Sequence, residues 1–476
     1  MKITDFIDFN PKRALNKGCL APFINMAALP VDSRDINQIG EREFKGGGSK
    51  FKNGDTLFAR ITPCLENGKT AKVAELPENT VAHGSTEFIV MAAKEPEYDQ
   101  DYIYYLARLP EFRSYAQARM EGTSGRQRVP WQSLVEFDFN FPEKEKRKEI
   151  GDFLKTIDNK IELNRQTNQT LEQIAQAIFK SWFVDFDPVK AKAQVCASVA
   201  EGRIPGSEKN TPLPKDFDVE TAIERAAMCA ISSKSLEELE QLSSETQQQL
   251  KTIAALFPDT LVESELGEIP EGWAVTRFKQ IVEKYIDNRG KTPPLVDFGI
   301  PLLEVKHLPN GSMKPDLDTT KYVDDETYEN WFRAHLETSD IIISTVGTIG
   351  RICMVPENEK FTIAQNLLGM RFYKEKSSPY FMYYQMDGFR FRHDVDARLI
   401  ITVQASIKRK DLETIDLLSP PVELQNKFEE FISPFVSMQQ SNQEIKLSNM
   451  RDSLLPKLLS GELQIEQNQT GLEEAI

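Results

Sequence analysis

The sequence predicts an α+β (mixed α/β) protein in which two similar domains are separated by two long antiparallel coiled-coil helices, giving an internal pseudo-twofold repeat. Two observations carry this. First, the chain repeats itself. Pro22–Pro30 (PFINMAALP) returns as Pro301–Pro309 (PLLEVKHLP) at an offset of 279, and Phe51–Arg60 returns in pattern as Leu336–Thr345. Ser124–Pro142 lines up with Thr402–Pro420 at an offset of 278. Second, each copy runs on into a stretch with apolar residues at helical spacing. A repeat this long is a duplicated domain, since solenoid units are 20–50 residues.

The elements follow in order. Residues 1–141 form the first domain, where short apolar runs (Asp55–Arg60, Thr86–Met91) alternate with turns such as Gly46-Gly47-Gly48. Residues 142–184 form the first long helix. Pro142 stands near its start and acids fill the first turn, as the free backbone N–H groups and the helix dipole favour. Leu154, Ile157, Ile161, Asn164, Asn168, Leu171, Ala175, Ile178 and Trp182 then recur three or four apart, a heptad seam whose two asparagines fix register at some loss of stability. Residues 185–262 are an acidic connector with helices expected over Val219–Ala230 and Ser235–Leu256. Residues 263–419 are the second domain and 420–464 the second long helix, its seam at Phe428, Phe431, Phe435, Met438, Asn442 and Ile445. Residues 465–476 are an acidic tail. Helices of about 40 residues span about 60 Å at about 1.5 Å per residue, and exposed stripes of that length should pair.

Composition narrows the function. The net charge of −15 disfavours nucleic acid until it is located. Cys196–Val275 holds 15 acidic and 6 basic residues, and Glu462–Ile476 adds four acids and no base. The two repeat copies are therefore near neutrality. No run of 18 apolar residues exists and Met1–Asp5 opens no signal peptide, so a cytoplasmic protein away from membranes is expected. Five scattered cysteines and four histidines lack disulfide-framework or metal-ligand spacing. Gly46–Lys50 has the wrong spacing for a phosphate-binding loop, and Thr292-Pro293-Pro294-Leu295 does not supply the Asn-Pro-Pro-aromatic motif of an amino-methyltransferase.

Several segments together resemble the specificity (S) subunit of type I restriction–modification systems. They are Gly54-Asp55-Thr56-Leu57-Phe58; Ser339–Arg351; Leu256-Phe257-Pro258-Asp259 with Glu265–Trp273; and the closing Leu454–Leu463. The likeness covers nearly the whole chain. It implies a non-catalytic DNA-binding subunit with two target-recognition domains, each reading half of a bipartite duplex sequence. It also implies helices that set the unread spacer and dock two methyltransferase (M) subunits, with restriction/translocase (R) subunits joining. This chain would bind no cofactor or metal; S-adenosylmethionine, ATP and Mg belong on the partners. The first copy departs from the pattern, with Thr62–Gly68 in place of the compact Gly347–Gly350 turn.

DNA-reading candidates are polar side chains in loops between apolar strands. In the first copy these are Arg60, Thr62, Lys69, Ser85, Thr86, Ser124, Arg126, Gln127 and Arg128. In the second they are Ser344, Thr345, Thr348, Arg351, Gln365, Asn366, Arg398, Thr402, Gln404, Ser406 and Lys408. Arg grips guanine bidentately, Asn and Gln grip adenine, and Ser, Thr and Lys suit phosphates. Asp55 and Asp340 read as turn residues, because a carboxylate beside phosphates is unfavourable. Two alternatives stand beside this reading. One is a metal-dependent nuclease using Asp297, Glu304 and Lys306, which the repeat opposes because Glu304 and Lys306 align with Asn25 and Ala27. The other is a coiled-coil scaffold with no DNA role.

Overall fold

The computed structural model describes residues 1–36, 38–123, 125–206, 211–288, 290–400, 405–440 and 443–465. It divides into two compact units. The first holds Met1–Asn168 with the described residues beyond 442; the second runs from Gln169 to the end of the described residues before 441.

The first unit carries strands β1 (Ile7–Phe9), β2 (Leu20–Ile24), β3 (Gly40–Glu43), β4 (Ser49–Phe51), β5 (Thr56–Ala59), β6 (Thr70–Lys72), β7 (Ala82–Gly84) and β8 (Phe88–Ala93). They make two four-stranded sheets, β1-β8-β5-β6 and β3-β2-β7-β4. The first sheet is antiparallel throughout, whereas β2 and β7 run parallel. Helices α1 (Pro96–Arg108), α2 (Pro110–Gln117) and α3 (Trp131–Leu134) follow. Strand β5 is buried at every position, the pattern of a strand covered on both faces. α4 (Lys144–Phe183) begins in this unit. It crosses α1 closely at Gly151, where a Cβ would stand 2.9 Å from the Tyr102 backbone nitrogen.

The second unit begins within α4 and continues with α5 (Asp187–Ala200), α6 (Val219–Ser232), α7 (Leu236–Glu240) and α8 (Ser244–Ala255). The expected Ser235–Leu256 helix is thus two, separated at residues 241–243; the Ser243 side chain accepts the Thr246 N–H and caps α8. α5 was not expected at all. Phe186 in the left-handed region (φ 57°) ends α4, and Pro188 opens the next helix near its start, where a missing N–H costs nothing.

Then come β9 (Leu261–Ser264), β10 (Gly267–Pro270), β11 (Ala274–Arg277), α9 (Phe278–Ile281), β12 (Val282–Asp287), β13 (Ile300–Leu303), β14 (Tyr322–Val323) and α10 (Asp325–Trp331). β15 (Ile341–Ser344), β16 (Ile352–Met354), β17 (Thr362–Ile363) and β18 (Leu367–Phe372) complete the main sheets. α11 (Pro379–Asp387), α12 (Phe389–Asp396), α13 (Arg409–Leu412), β19 (Asp416–Ser419) and α14 (Val422–Gln440) close the unit, and α15 (Gln443–Ser460) belongs to the first.

The duplication is legible in topology. The second unit's sheet runs β12-β18-β15-β16, the same order as β1-β8-β5-β6, and β14-β13-β17 matches β3-β2-β7. The 3-10 turns Met26–Ala28 and Val305–His307 stand at the same offset of 279 as the sequence repeat. β5 and β15 match at 285, and α3 and α13 at 278.

Within each unit the long helices pair antiparallel. In the first, Asn164 Nδ2 donates to Gln443 Oε1 (3.3 Å), Asn168 Nδ2 to Glu444 Oε1 (2.6 Å), and Arg451 Nη1 to Asp158 Oδ1 (2.7 Å). In the second, Phe179 and Trp182 of α4 meet Phe428 of α14 at ring distances of 5.7 and 6.0 Å.

The seam needs correcting in α14 and α15. Met438 and Ile445 are 56% and 57% exposed. The buried row of α14 is Leu424, Phe428, Ile432 and Val436, spaced by four. α14 also lies on α11, with Phe428 against Tyr384 at 5.7 Å, so its inward face is set by the domain beneath it and turns Met438 outward. Leu154 and Ile157 are buried; Ile161, Asn164, Leu171, Ile178, Phe431 and Phe435 are partly so, and Asn442 lies outside the described residues. Among the described residues no helix is long and apolar enough to cross a membrane.

Candidate nucleic-acid interface

Each unit gathers three of the loops that sequence singled out. In the first unit the Arg60 N–H donates to the Glu87 carbonyl, the Thr62 N–H to the Gln127 carbonyl, and the Val129 N–H to the Arg60 carbonyl. The second unit repeats this bond for bond: Thr345 to Asn366, Gly347 to Ala405, and Ile407 to Thr345. The loop after the central strand (β5 or β15) is thus pinned to the turn before β8 or β18 and to the loop before α3 or α13. Backbone bonds fix this cluster, so its side chains are free to differ between units.

Both central strands start from the same device. Asp55 accepts the Lys52 N–H at 2.7 Å, and Asp340 accepts the Glu337 N–H at 2.8 Å. Each carboxylate also takes a bidentate arginine, Arg13 for Asp55 and Arg371 for Asp340. Burial pushes both carboxyls up, against the pull of those arginines. The residue before each has positive φ, Gly54 at 90° and Ser339 at 70°. These are turn residues whose carboxylates are already taken by the backbone and an arginine.

Within the clusters the candidates separate by what already holds them. Ser344 is fully buried; its hydroxyl donates to the Thr348 carbonyl (2.6 Å) and accepts the Arg351 N–H (2.9 Å). Its place as a reader is corrected: the β15 strand end turns it inward to staple the loop. Thr62 Oγ1 accepts the Gln127 N–H, Ser85 Oγ accepts the Glu87 N–H, and Thr345 Oγ1 donates to the Asn366 carbonyl. Lys69 Nζ donates to the Met26 carbonyl at 3.0 Å. Arg128 forms a bidentate pair with Glu87 (2.7–2.9 Å), so its charge is already matched. Arg351 donates to the Leu308 carbonyl, and Arg398 to Asp394 and Thr414. Ser406 pairs by backbone with Ile400.

Arg126 and Thr86 in the first unit, and Thr348, Gln365 and Lys408 in the second, remain exposed; Arg60 is half-buried. Ser124, Thr402 and Gln404 lie outside the described residues. Sequence reasoning missed Glu87. Its signal was available, since it sits beside Ser85-Thr86 and opposite Asn366 at the repeat offset of 279.

The carboxylate of Glu304 is taken by Lys321 at 2.6 Å, and Asp297 and Lys306 are exposed. Among the described residues no group of three or more His, Cys, Asp or Glu side chains is placed to hold a metal ion.

The family described as the type I restriction modification DNA specificity domain matches residues 1–173. The HindI type I restriction enzyme specificity subunit of Haemophilus influenzae is 28% identical over 431 residues, covering 87% of each chain. The chain thus resembles type I specificity subunits, most directly over residues 1–173. The MjaIX specificity subunit of Methanocaldococcus jannaschii is 23% identical over 380 residues, 77% of this chain and 70% of its own. A solved type I S subunit from M. genitalium aligns over 98% of this chain and 96% of its own, at 13% identity and a TM-score of 0.49. The matched family is described by its DNA specificity, and the loop clusters are the candidate nucleic-acid surface of this chain.

Proposed function

We propose that this chain is a type I specificity subunit that reads a bipartite duplex target, one half-site per unit, and that its helices dock two M subunits and set the unread spacer. The observation that carries this is the duplicated loop cluster, built by equivalent backbone bonds in both units but carrying different side chains. One scaffold with two sets of readers suits two different half-sites on one duplex. Each cluster would enter the major groove and contact about three to five base pairs. Arg126 and Thr86 are the proposed readers in the first unit, and Thr348, Gln365, Arg351 and Lys408 in the second.

Exposed apolar side chains on the helices support M-subunit docking. Leu163, Ile445 and Met450 are 55%, 57% and 51% exposed in the first unit; Ile174 and Met438 are 40% and 56% exposed in the second. Exposed apolar side chains gathered into a contiguous patch mark a surface that a partner covers, and these residues are the ones such a patch on the helices would use. The partners would carry S-adenosylmethionine, ATP and Mg and supply further basic surface, since this chain has 58 basic against 73 acidic residues. Binding of DNA by the chain alone is therefore weak and salt-sensitive, and tight in the cytoplasmic complex with M and R subunits.

Replacing residues 1–141 with those of another specificity subunit tests the reading. The methylated sequence of the assembled complex should change in one half-site and keep the other. An unchanged target would refute it.

A further inference from the structure

The first unit holds a cationic cleft beside its loop cluster that the reading of bases does not use. It has a volume of about 370 Å³, and Lys12, Arg13, Ser49, Lys50, Arg60 and Thr86 are among its lining residues. No carboxylate lines it. Asn10 builds one wall: it adopts φ 51°, and its Oδ1 accepts the Val90 N–H, turning Pro11–Arg13 back across β8. Ser49 Oγ donates to the Phe88 carbonyl at 2.8 Å and ties the end of β4 to the same strand.

The charges are unequally committed. Arg13 is neutralised by buried Asp55, and Lys50 Nζ donates to the Arg13 carbonyl at 3.0 Å, leaving its charge without a carboxylate. Glu87, next to Thr86, is taken by Arg128. Lys12 is exposed and has no hydrogen-bond or ion-pair partner among the described residues. Arg60 Nε is buried yet unpartnered, and a buried guanidinium donor left idle costs free energy. Three uncompensated cations converging on one cleft call for an anion.

We propose that this cleft takes a backbone phosphodiester of the duplex next to the half-site read by the first unit, with Arg60 and Lys12 as its ligands and Lys50 adding charge. The proposal rests on the DNA-reading function above. Arg60 and Thr86 belong both to the cleft and to the loop cluster, so a strand whose bases face the loops brings its backbone past the cleft. Among the described residues the feature belongs to the first unit. At the repeat offsets Arg60 becomes Thr345, Lys50 becomes His335 and Thr86 becomes Gln365, and among the described residues β4 has no counterpart strand. The first unit is thereby the electrostatic anchor of the pair.

The test uses the full chain with its M subunits and a duplex carrying the sequence methylated in the host genome, alongside a scrambled duplex. Affinity is measured against salt for wild type, Lys12→Ala, Arg60→Gln and the double variant. Each neutralised phosphate contributes about 0.9 to the slope of log K on log salt, so the double variant, which frees the one phosphodiester, should lose about 0.9 and each single variant part of that. Target and scrambled affinities should fall together, leaving their ratio unchanged, and Arg60→Lys should restore most of the slope. Thermal melting of each variant shows that the fold is intact; Lys12→Ala, at an exposed and uncontacted position, keeps the test valid if Arg60→Gln unfolds. A wild-type slope in the folded variants overturns the cleft proposal alone. A loss confined to the target duplex also overturns it, by making Arg60 a base reader. Failure of the wild-type complex to prefer its target overturns the DNA-reading function as well.

Discussion

Arg451 fixes α15 to the first unit, and removing it should be among the most damaging single changes in the helices. Its side chain is 4% exposed and that of Asp158 is 5% exposed, with 2.7 Å between Nη1 and Oδ1. The other Asp158 oxygen accepts the Tyr105 hydroxyl at 2.6 Å. Burial, and then Asp158 itself, hold the Tyr105 phenol well above its ordinary value, so it donates as a neutral hydroxyl. Arg451→Met leaves a buried carboxylate with one neutral donor. Removing one partner of a buried pair costs about 3–5 kcal/mol, whereas replacing both with apolar groups is often neutral. At about 1.4 kcal/mol per tenfold, the single variant should raise local opening of α15 more than 100-fold. Hydrogen exchange of α15 amides reads this directly, without needing two-state unfolding of the whole chain. The Arg451→Met/Asp158→Leu double variant should recover most of the protection. A single-variant change below about tenfold, or a double variant as open as the single, would refute the argument.

Three further outcomes follow from the same structure. His307 is 2% exposed, and its Nδ1 accepts the Glu304 N–H at 2.7 Å, which requires a neutral ring. Burial, helped by Lys306, lowers its pKa from the ordinary 6.5, so the unfolded chain binds the proton more readily. The second unit's stability should then fall as pH drops below about 6.5, and urea unfolding of His307→Gln should show a flatter pH profile. Gln425, fully buried, accepts from Ser377 Oγ and the Ser378 N–H and donates to the Pro420 carbonyl. Gln425→Leu leaves those groups unmatched and should destabilise the second unit by about 1–3 kcal/mol each, read by denaturant unfolding. In the first unit's cluster, Arg126→Ala should weaken DNA binding with no change in melting temperature. Arg128→Gln and Glu87→Gln should instead act on one peg, their double variant binding no worse than either single.

The duplication was legible because it is written in backbone-determining residues. Gly54-Asp55 and Ser339-Asp340 build the same turn, and the 3-10 turns at Met26 and Val305 recur at the offset read from the letters. The convergence of the loops was not legible. It depends on three backbone hydrogen bonds per unit between residues 21 to 69 positions apart, and backbone bonds leave little mark on side-chain identity. For the same reason Ser344 looked like a reader: a serine at a strand end is polar in sequence whether its hydroxyl points to solvent or back into its own turn. Arg128 misled in a related way, since its partner Glu87 lies 41 residues away.

The misplaced seam has a different cause. A heptad pattern predicts the inward face of a helix only when another helix is all it packs against. α4 meets that condition poorly, because none of its residues between 159 and 174 is buried. Its buried residues fall near its two ends: Ile150, Leu154 and Ile157 in one unit, and Ala175, Phe179, Trp182 and Phe183 in the other. α14 likewise turns Leu424, Phe428, Ile432 and Val436 to its own domain. Asn164 and Asn168, placed at core positions by the heptad, instead reach across to Gln443 and Glu444 as a polar rung between α4 and α15. The apolar residues that the heptad placed inside but the fold leaves outside, Met438 and Ile445, are therefore not packing failures. On the docking proposed above, their side chains would lie on the helix surface that an M subunit covers, and the sequence pattern would then record a contact made only in the complex.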